Sequence, residues 1–142
     1  MLAEKAVIVN SEEETKTLAR SFASGLVVGE VIVLNGNLGT GKTFFIREAA
    51  GFFNAASVSS PTFALVNEYN GRIKIYHFDF FRINKLEELY DIGFEDYLND
   101  NDSLIFIEWG NLFPEILPGK RTEINITAAN EKKRKFEFRE YK

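Results

Sequence analysis

The chain has no cysteine, so disulfides and thiolate metal sites are both excluded. No apolar run approaches the roughly 20 residues that a membrane helix needs, and no signal-peptide pattern opens the sequence. The expectation is a cytoplasmic protein with no membrane contact. Basic charge is in deficit too: the formal net charge is −4, which does not suit broad electrostatic binding to nucleic acid. Linkers, internal repeats and low-complexity stretches are absent. What the sequence has in quantity is phenylalanine, fourteen in 142 residues, which favours one tightly packed domain over residues 1–142.

The most informative stretch is Gly36-Asn37-Leu38-Gly39-Thr40-Gly41-Lys42-Thr43. It fits G-x-x-x-x-G-K-[ST], the phosphate-binding P-loop. Such a loop wraps backbone N–H groups around a polyphosphate, and glycine is needed where the chain turns tightly and approaches the ligand closely. In that pattern Asn37 to Thr43 line the phosphates, Lys42 reaches the β/γ-phosphates and the Thr43 hydroxyl binds Mg²⁺. The setting agrees. Glu30–Asn35 before the loop is a β-branched apolar run of the kind found in buried parallel strands. Phe44–Phe53 after it carries apolar residues at helical spacing, so a helix N-terminus would point at the phosphates.

Around this unit the pattern alternates between strand and helix. Ala6–Val9 reads as a strand, and Ser11 with Glu14 as a capping box opening a helix whose apolar face is Leu18, Ala19, Phe22 and Leu26, ending near Gly25. Ser57–Phe63 reads as a polar loop. Ala64–Tyr69 and Arg72–Asp79 flank Asn70-Gly71, a strong hairpin signal. Leu86–Tyr90 and Phe94–Leu98 suit short helices, Leu104–Ile107 a buried strand ending at Glu108, and Thr122–Thr127 with Lys135–Phe138 a closing hairpin around Asn130. The expected fold is α/β: a three-layer P-loop NTPase-like sandwich with a mixed, mainly parallel sheet and antiparallel hairpins.

A P-loop protein needs a second acid at a strand end to hold Mg²⁺ directly or through water. Two segments compete. Leu104–Glu108 is an apolar run ending in a carboxylate, and Ile73–Asp79 also ends in an acid, with Ile75, His77 and Asp79 sharing one face by the period of two. Glu108 fits the buried parallel strand better and is assigned to the metal, which leaves Asp79 to orient or deprotonate water. Either acid taken alone could equally cap a loop or pair with a nearby cation. Thr62 in Ser59–Phe63 could sense the metal or γ-phosphate as switch threonines do, or belong to an ordinary polar turn. Trp109 could stack on a ligand or partner, or pack in the core. His77 is read as a hydrogen-bonded structural residue, and Lys132–Lys135 as a solvated hairpin tip. Asn84-Lys85-Leu86-Glu87 resembles a guanine-reading motif but has Glu for Asp and precedes the Leu104 strand, so Asn84 and Glu87 are read as a helix N-cap pair.

In their order along the chain, the capped helix, G-N-L-G-T-G-K-T, S-P-T-F followed by L-V-N-E-Y, H-F-D-F-F-R, and I-E-W make the sequence resemble the TsaE (YjeE) family of bacterial P-loop ATPases over roughly residues 8 to 138. The resemblance implies ATP and Mg²⁺ as ligands and a role in making threonylcarbamoyl-adenosine in tRNA. It implies as partners a TsaD-like transferase and its TsaB-like companion, reset between turnovers by ATP hydrolysis, with tRNA as the substrate of the complex. Lys42 and Thr43 match the family's phosphate and magnesium ligands, Glu108 its metal-site acid, Asp79 the acid of H-x-D, Thr62 the S-P-T threonine, and Trp109 the aromatic beside the nucleotide. Ser11, Lys133 and Arg134 lie where the family approaches the base. Phe80 and Phe81 stand where the family often has Leu and Tyr, so position 81 offers no hydroxyl. Two other readings remain: a small-molecule kinase, for which an arginine-bearing lid is lacking, and a nucleotide-gated assembly factor whose hydrolysis is incidental.

Overall fold

The computed structural model describes residues 4–57 and 65–142. Eight strands form one sheet in the order β1-β8-β7-β2-β6-β5-β4-β3. They are β1 (Glu4–Val9), β2 (Val31–Asn35), β3 (Ala56–Ser57), β4 (Val66–Asn70), β5 (Lys74–Asp79), β6 (Ser103–Glu108), β7 (Arg121–Ala128) and β8 (Arg134–Tyr141). β7, β2, β6 and β5 make a parallel centre. The antiparallel pairs β7–β8 and β4–β5 are the two expected hairpins, and β1 and β3 extend the edges.

Alternation along the central strands creates two cores. Ile32, Leu34, Leu104, Phe106 and Ile75 face α1 (Glu12–Ser24) and α2 (Lys42–Phe52), joined by Phe45, Ile124, Phe136 and Phe138. Val31, Val33, Ile105, Ile107 and Phe78 face the other way, under α3 (Leu86–Asp91) and α4 (Phe94–Leu98) with Phe80, Leu89, Phe94 and Ile116. Strands buried on both faces cannot alternate apolar with polar, which is why β2 and β6 read as continuous apolar runs. The result is the expected three-layer α/β sandwich. No helix among the described residues is long and apolar enough to cross a membrane.

The differences from the sequence reading are local. α2 starts at Lys42 rather than Phe44, because the helix begins inside the P-loop itself. Ala56–Ser57 pairs with β4 as a short strand where a loop was expected, and β5 starts at Lys74 because Arg72 is turned away, its N–H bonding Phe53 O. The Asn84–Glu87 cap pair does not form. α3 begins at Leu86 as expected, but its cap is Lys85, which uses no side chain, and it is Glu88 in the first turn whose carboxylate accepts the Asn84 N–H at 3.2 Å. Two 3₁₀ turns, Phe80–Arg82 and Gly110–Leu112, follow β5 and β6 directly and were not anticipated. The Ser59–Phe63 loop, with Thr62, lies outside the described residues.

Candidate nucleotide and metal site

The C-terminal ends of β2, β5 and β6 meet at one edge of the sheet, where ligands collect in open α/β folds. β2 delivers the P-loop there. Gly36 lies so close to β7 that a Cβ would sit 2.7 Å from Ile126 O and 2.8 Å from Thr40 Oγ1. Thr40 ties the loop internally, its hydroxyl bonding Asn37 O at 2.9 Å. Gly41 caps α2 at φ 101°, ψ 22°, a left-handed conformation that costs any residue with a Cβ, and it offers no side-chain cap bond. The first-turn N–H groups and the helix dipole therefore face outward together, the arrangement that binds anions.

Lys42 is 4% exposed. Its ammonium bonds Gly36 O at 2.6 Å and Asn37 O at 3.0 Å, and lies 4.3 Å from the Trp109 ring centroid. Burial lowers its pKa, partly offset by the Glu108 and Asp79 carboxylates. Thr43, next on α2, donates its hydroxyl to Glu108 Oε2 at 2.8 Å. Glu108 ends β6 on the face shared by Leu104 and Phe106, and so points at α2. Burial alone would raise its pKa, yet the bonds from His77 and Thr43 and the charge of Lys42 bring it below the ordinary value. The carboxylate is held ionised.

Asp79 lies opposite Glu108 in the parallel register. It accepts the Phe81 N–H at 3.1 Å, which starts the 3₁₀ turn, and stands 3.7 Å from Arg82 Nε. Its pKa is raised, first by burial and then by the like charge of Glu108, against the opposing pull of Phe81, His77 and Arg82. The two acids thus differ: Glu108 is the firmly ionised one, and Asp79 is the better proton acceptor. Trp109 follows at φ 62°, an unusual conformation for a bulky residue, with its N–H fixed to Leu34 O at 3.0 Å. Its ring packs on Phe81, centroids 5.0 Å apart.

A cavity of about 430 Å³ opens beside the loop, lined by Ser11 and Thr15 of the α1 start, Gly39–Gly41, Phe44, and Lys132 and Arg134 of the β7–β8 tip. Ser11 and Arg134 are thus brought to the P-loop as expected. Lys132 rather than Lys133 completes the wall. A larger cavity, about 740 Å³, lies at the opposite edge around Val27, Val28, Arg121 and Tyr141, away from every phosphate-binding group. Size is the weaker guide here.

Among the described residues no cluster of three or more His, Asp or Glu could hold a metal by itself. Thr43 and Glu108 nonetheless fit Mg²⁺, which typically takes one or two protein oxygens and completes its shell with water and substrate phosphates. His77, expected as a hydrogen-bonded structural residue, is hydrogen-bonded, and the partner that the sequence did not name is Glu108, whose Oε2 lies 2.6 Å from Nε2. The position of His77 on the Asp79 face was the available signal.

Comparison with known proteins follows the same outline. The family model described as threonylcarbamoyl adenosine biosynthesis protein TsaE matches residues 9–136. The protein of that name from Rickettsia conorii is 43% identical over 129 residues, covering 89% of this chain and 73% of the relative. The one from Bacillus subtilis is 37% identical over 128 residues, covering 89% and 79%. The crystal structure of Bacillus subtilis YdiB superposes with a TM-score of 0.80 at 28% identity, covering all of this chain and 88% of that one.

Proposed function

The chain belongs to the TsaE family, and on that premise we propose that it is a slow, partner-dependent ATPase serving threonylcarbamoyl-adenosine modification of tRNA in the cytoplasm. Its partners are a TsaD-like transferase and a TsaB-like companion, with tRNA as the substrate of the complex. The observation that carries the reading is the 2.8 Å contact between Thr43 Oγ1 and Glu108 Oε2 at the first turn of the P-loop helix. A hydroxyl and an ionised carboxylate at that point are the protein's half of a magnesium–nucleotide site.

When bound, Mg²⁺ would neutralise charge on the phosphates and draw off charge developing on the leaving group. The chain's own groups do the rest. The α2 N-terminus and the loop N–H groups hold the phosphates. Lys42 sits among loop carbonyls and the Trp109 face, within reach of the same phosphates, and supplies positive charge. Asp79, with its raised pKa, accepts the proton of the attacking water or orients it. Ser11, Phe44, Lys132 and Arg134 form the wall for the nucleoside.

The test is a reconstituted modification reaction with tRNA, the transferase pair, and this chain as wild type or Lys42→Ala. Losing a charge-assisted contact should weaken ATP binding about 10- to 100-fold. Modification should then fall back towards a single round per transferase complex. Sustained modification by Lys42→Ala at the wild-type rate would contradict the reading. A second reading, nucleotide-gated assembly with incidental hydrolysis, draws on the exposed Phe81 and Leu112 beside Trp109, which could form a partner-facing edge. It predicts that a non-hydrolysable ATP analogue sustains many rounds as well as ATP does.

A further inference from the structure

Glu108 is 5% exposed, and an ionised carboxylate so buried must be given donors. Among the described residues it has two, and both fall on the same oxygen: the Thr43 hydroxyl at 2.8 Å and His77 Nε2 at 2.6 Å reach Oε2. Oε1 is the oxygen that neither bond uses. The His77 ring is itself buried, and its other nitrogen, Nδ1, stands 3.2 Å from the Tyr69 hydroxyl. An ionised Glu108 only accepts, so Nε2 carries the proton; in the uncharged ring Nδ1 is then an acceptor and Tyr69 donates to it. Tyr69 is 5% exposed and lies nearly parallel to the imidazole, 26° between planes with centroids 6.0 Å apart. The connection therefore crosses three adjacent strands, β4 to β5 to β6, and ends on α2.

We propose that His77, braced by Tyr69, is a positioning residue that fixes the rotation of the Glu108 carboxylate for Mg²⁺. Two donors on one oxygen hold the carboxylate in one rotation and leave Oε1, which neither uses, as the oxygen that would serve the metal or its bound water. Thr43 cannot do this alone, because a single hydrogen bond leaves the carboxylate free to turn about it. His77 supplies the second bond and needs no nucleotide to do so. The alternative, that His77 merely satisfies a buried acid, predicts a loss of stability with no selective change in the response to metal. The proposal rests on reading the P-loop as a magnesium–ATP site.

The experiment measures binding of a fluorescent ATP analogue to the full chain in EDTA and across a Mg²⁺ titration, for wild type, His77→Ala, His77→Gln and Tyr69→Phe, with folding followed by circular dichroism. Gln places an amide N–H near the position of Nε2. Outer hydrogen-bond partners of metal ligands are commonly worth 10- to 100-fold in metal affinity. His77→Ala should therefore raise the Mg²⁺ concentration at half effect by about 10- to 100-fold, with binding in EDTA changed by less than about 2-fold. His77→Gln should recover most of the shift, and Tyr69→Phe should show a smaller one of the same sign. Unchanged Mg²⁺ midpoints in folded His77→Ala, or failure of folded His77→Gln to recover any shift, overturn the proposal. If His77→Ala does not fold, the Tyr69→Phe midpoint decides: an unchanged value counts against the brace. A wild type whose nucleotide binding ignores Mg²⁺ would instead remove the magnesium–ATP reading beneath it.

Discussion

Glu108 stands between opposing effects of similar kind: burial favours its neutral form, while His77, Thr43 and Lys42 favour the charged one, and the second group wins. A carboxylate whose folded pKa is depressed stabilises the fold above its unfolded pKa and loses that contribution as pH falls through the lower, folded value. Glu108→Gln should thus melt below wild type at neutral pH. The gap should narrow only as pH drops below the ordinary carboxylate value of 4.5, and thermal melts at intervals from pH 7 to pH 3 check it. A gap that widens in acid would show the sign to be wrong. At this scale the sequence was most readable where chemistry is local. Lys42 and Thr43 were fixed by motif spacing, and Glu108 by its place at a strand end. His77 was legible only as a hydrogen-bonded residue, because its partner is 31 residues away and only the pairing of β5 with β6 brings the two together.

The elements that carry these residues are set by short-range signals. Ser11 Oγ accepts the Glu14 N–H at 3.1 Å, the serine half of the expected capping box, while Glu14 Oε1 reaches one residue past the cap to the Asn10 N–H at 2.8 Å, and together they start α1 beside the P-loop. Ser11→Ala should cost about 1 kcal/mol, or roughly 2–4 °C in melting temperature for a chain of this size. Ser11→Asp should restore it, and a scanning-calorimetry series gives the answer. No loss in Ser11→Ala would mean that α1 is held by packing alone. Cap chemistry was harder to read at α3. There the first-turn acids Glu87 and Glu88 are adjacent, and which of them reaches back depends on a helix start that sequence leaves open by a residue.

Across the whole molecule, the sheet separates two cores, both rich in aromatic side chains, and one of them seats the P-loop helix. Phe45 of α2 is fully buried, 5.8 Å from the Phe22 ring of α1 and 5.4 Å from the Phe136 ring of β8. Phe45→Ala should destabilise the fold by about 3–5 kcal/mol, read from the denaturant midpoint at unchanged slope. A cost under about 1 kcal/mol would mean that α2 does not depend on this contact. The fold class was legible because a glycine loop between an apolar strand and a helix has one common structural setting. The strand order was not: β2 lies between β6 and β7, strands that follow it by about seventy residues or more, and no local pattern encodes that pairing. The site inherits this dependence, since Glu108 and Asp79 reach the P-loop only through the parallel centre. Phosphate release in the presence of Mg²⁺ and the partner proteins, compared between wild type and Glu108→Ala, therefore tests the account most directly. Loss of several kcal/mol of metal-based stabilisation should slow turnover by about 100-fold or more, while nucleotide binding without Mg²⁺ stays within about 2-fold of wild type. Glu108→Ala turning over ATP at the wild-type rate would contradict the account.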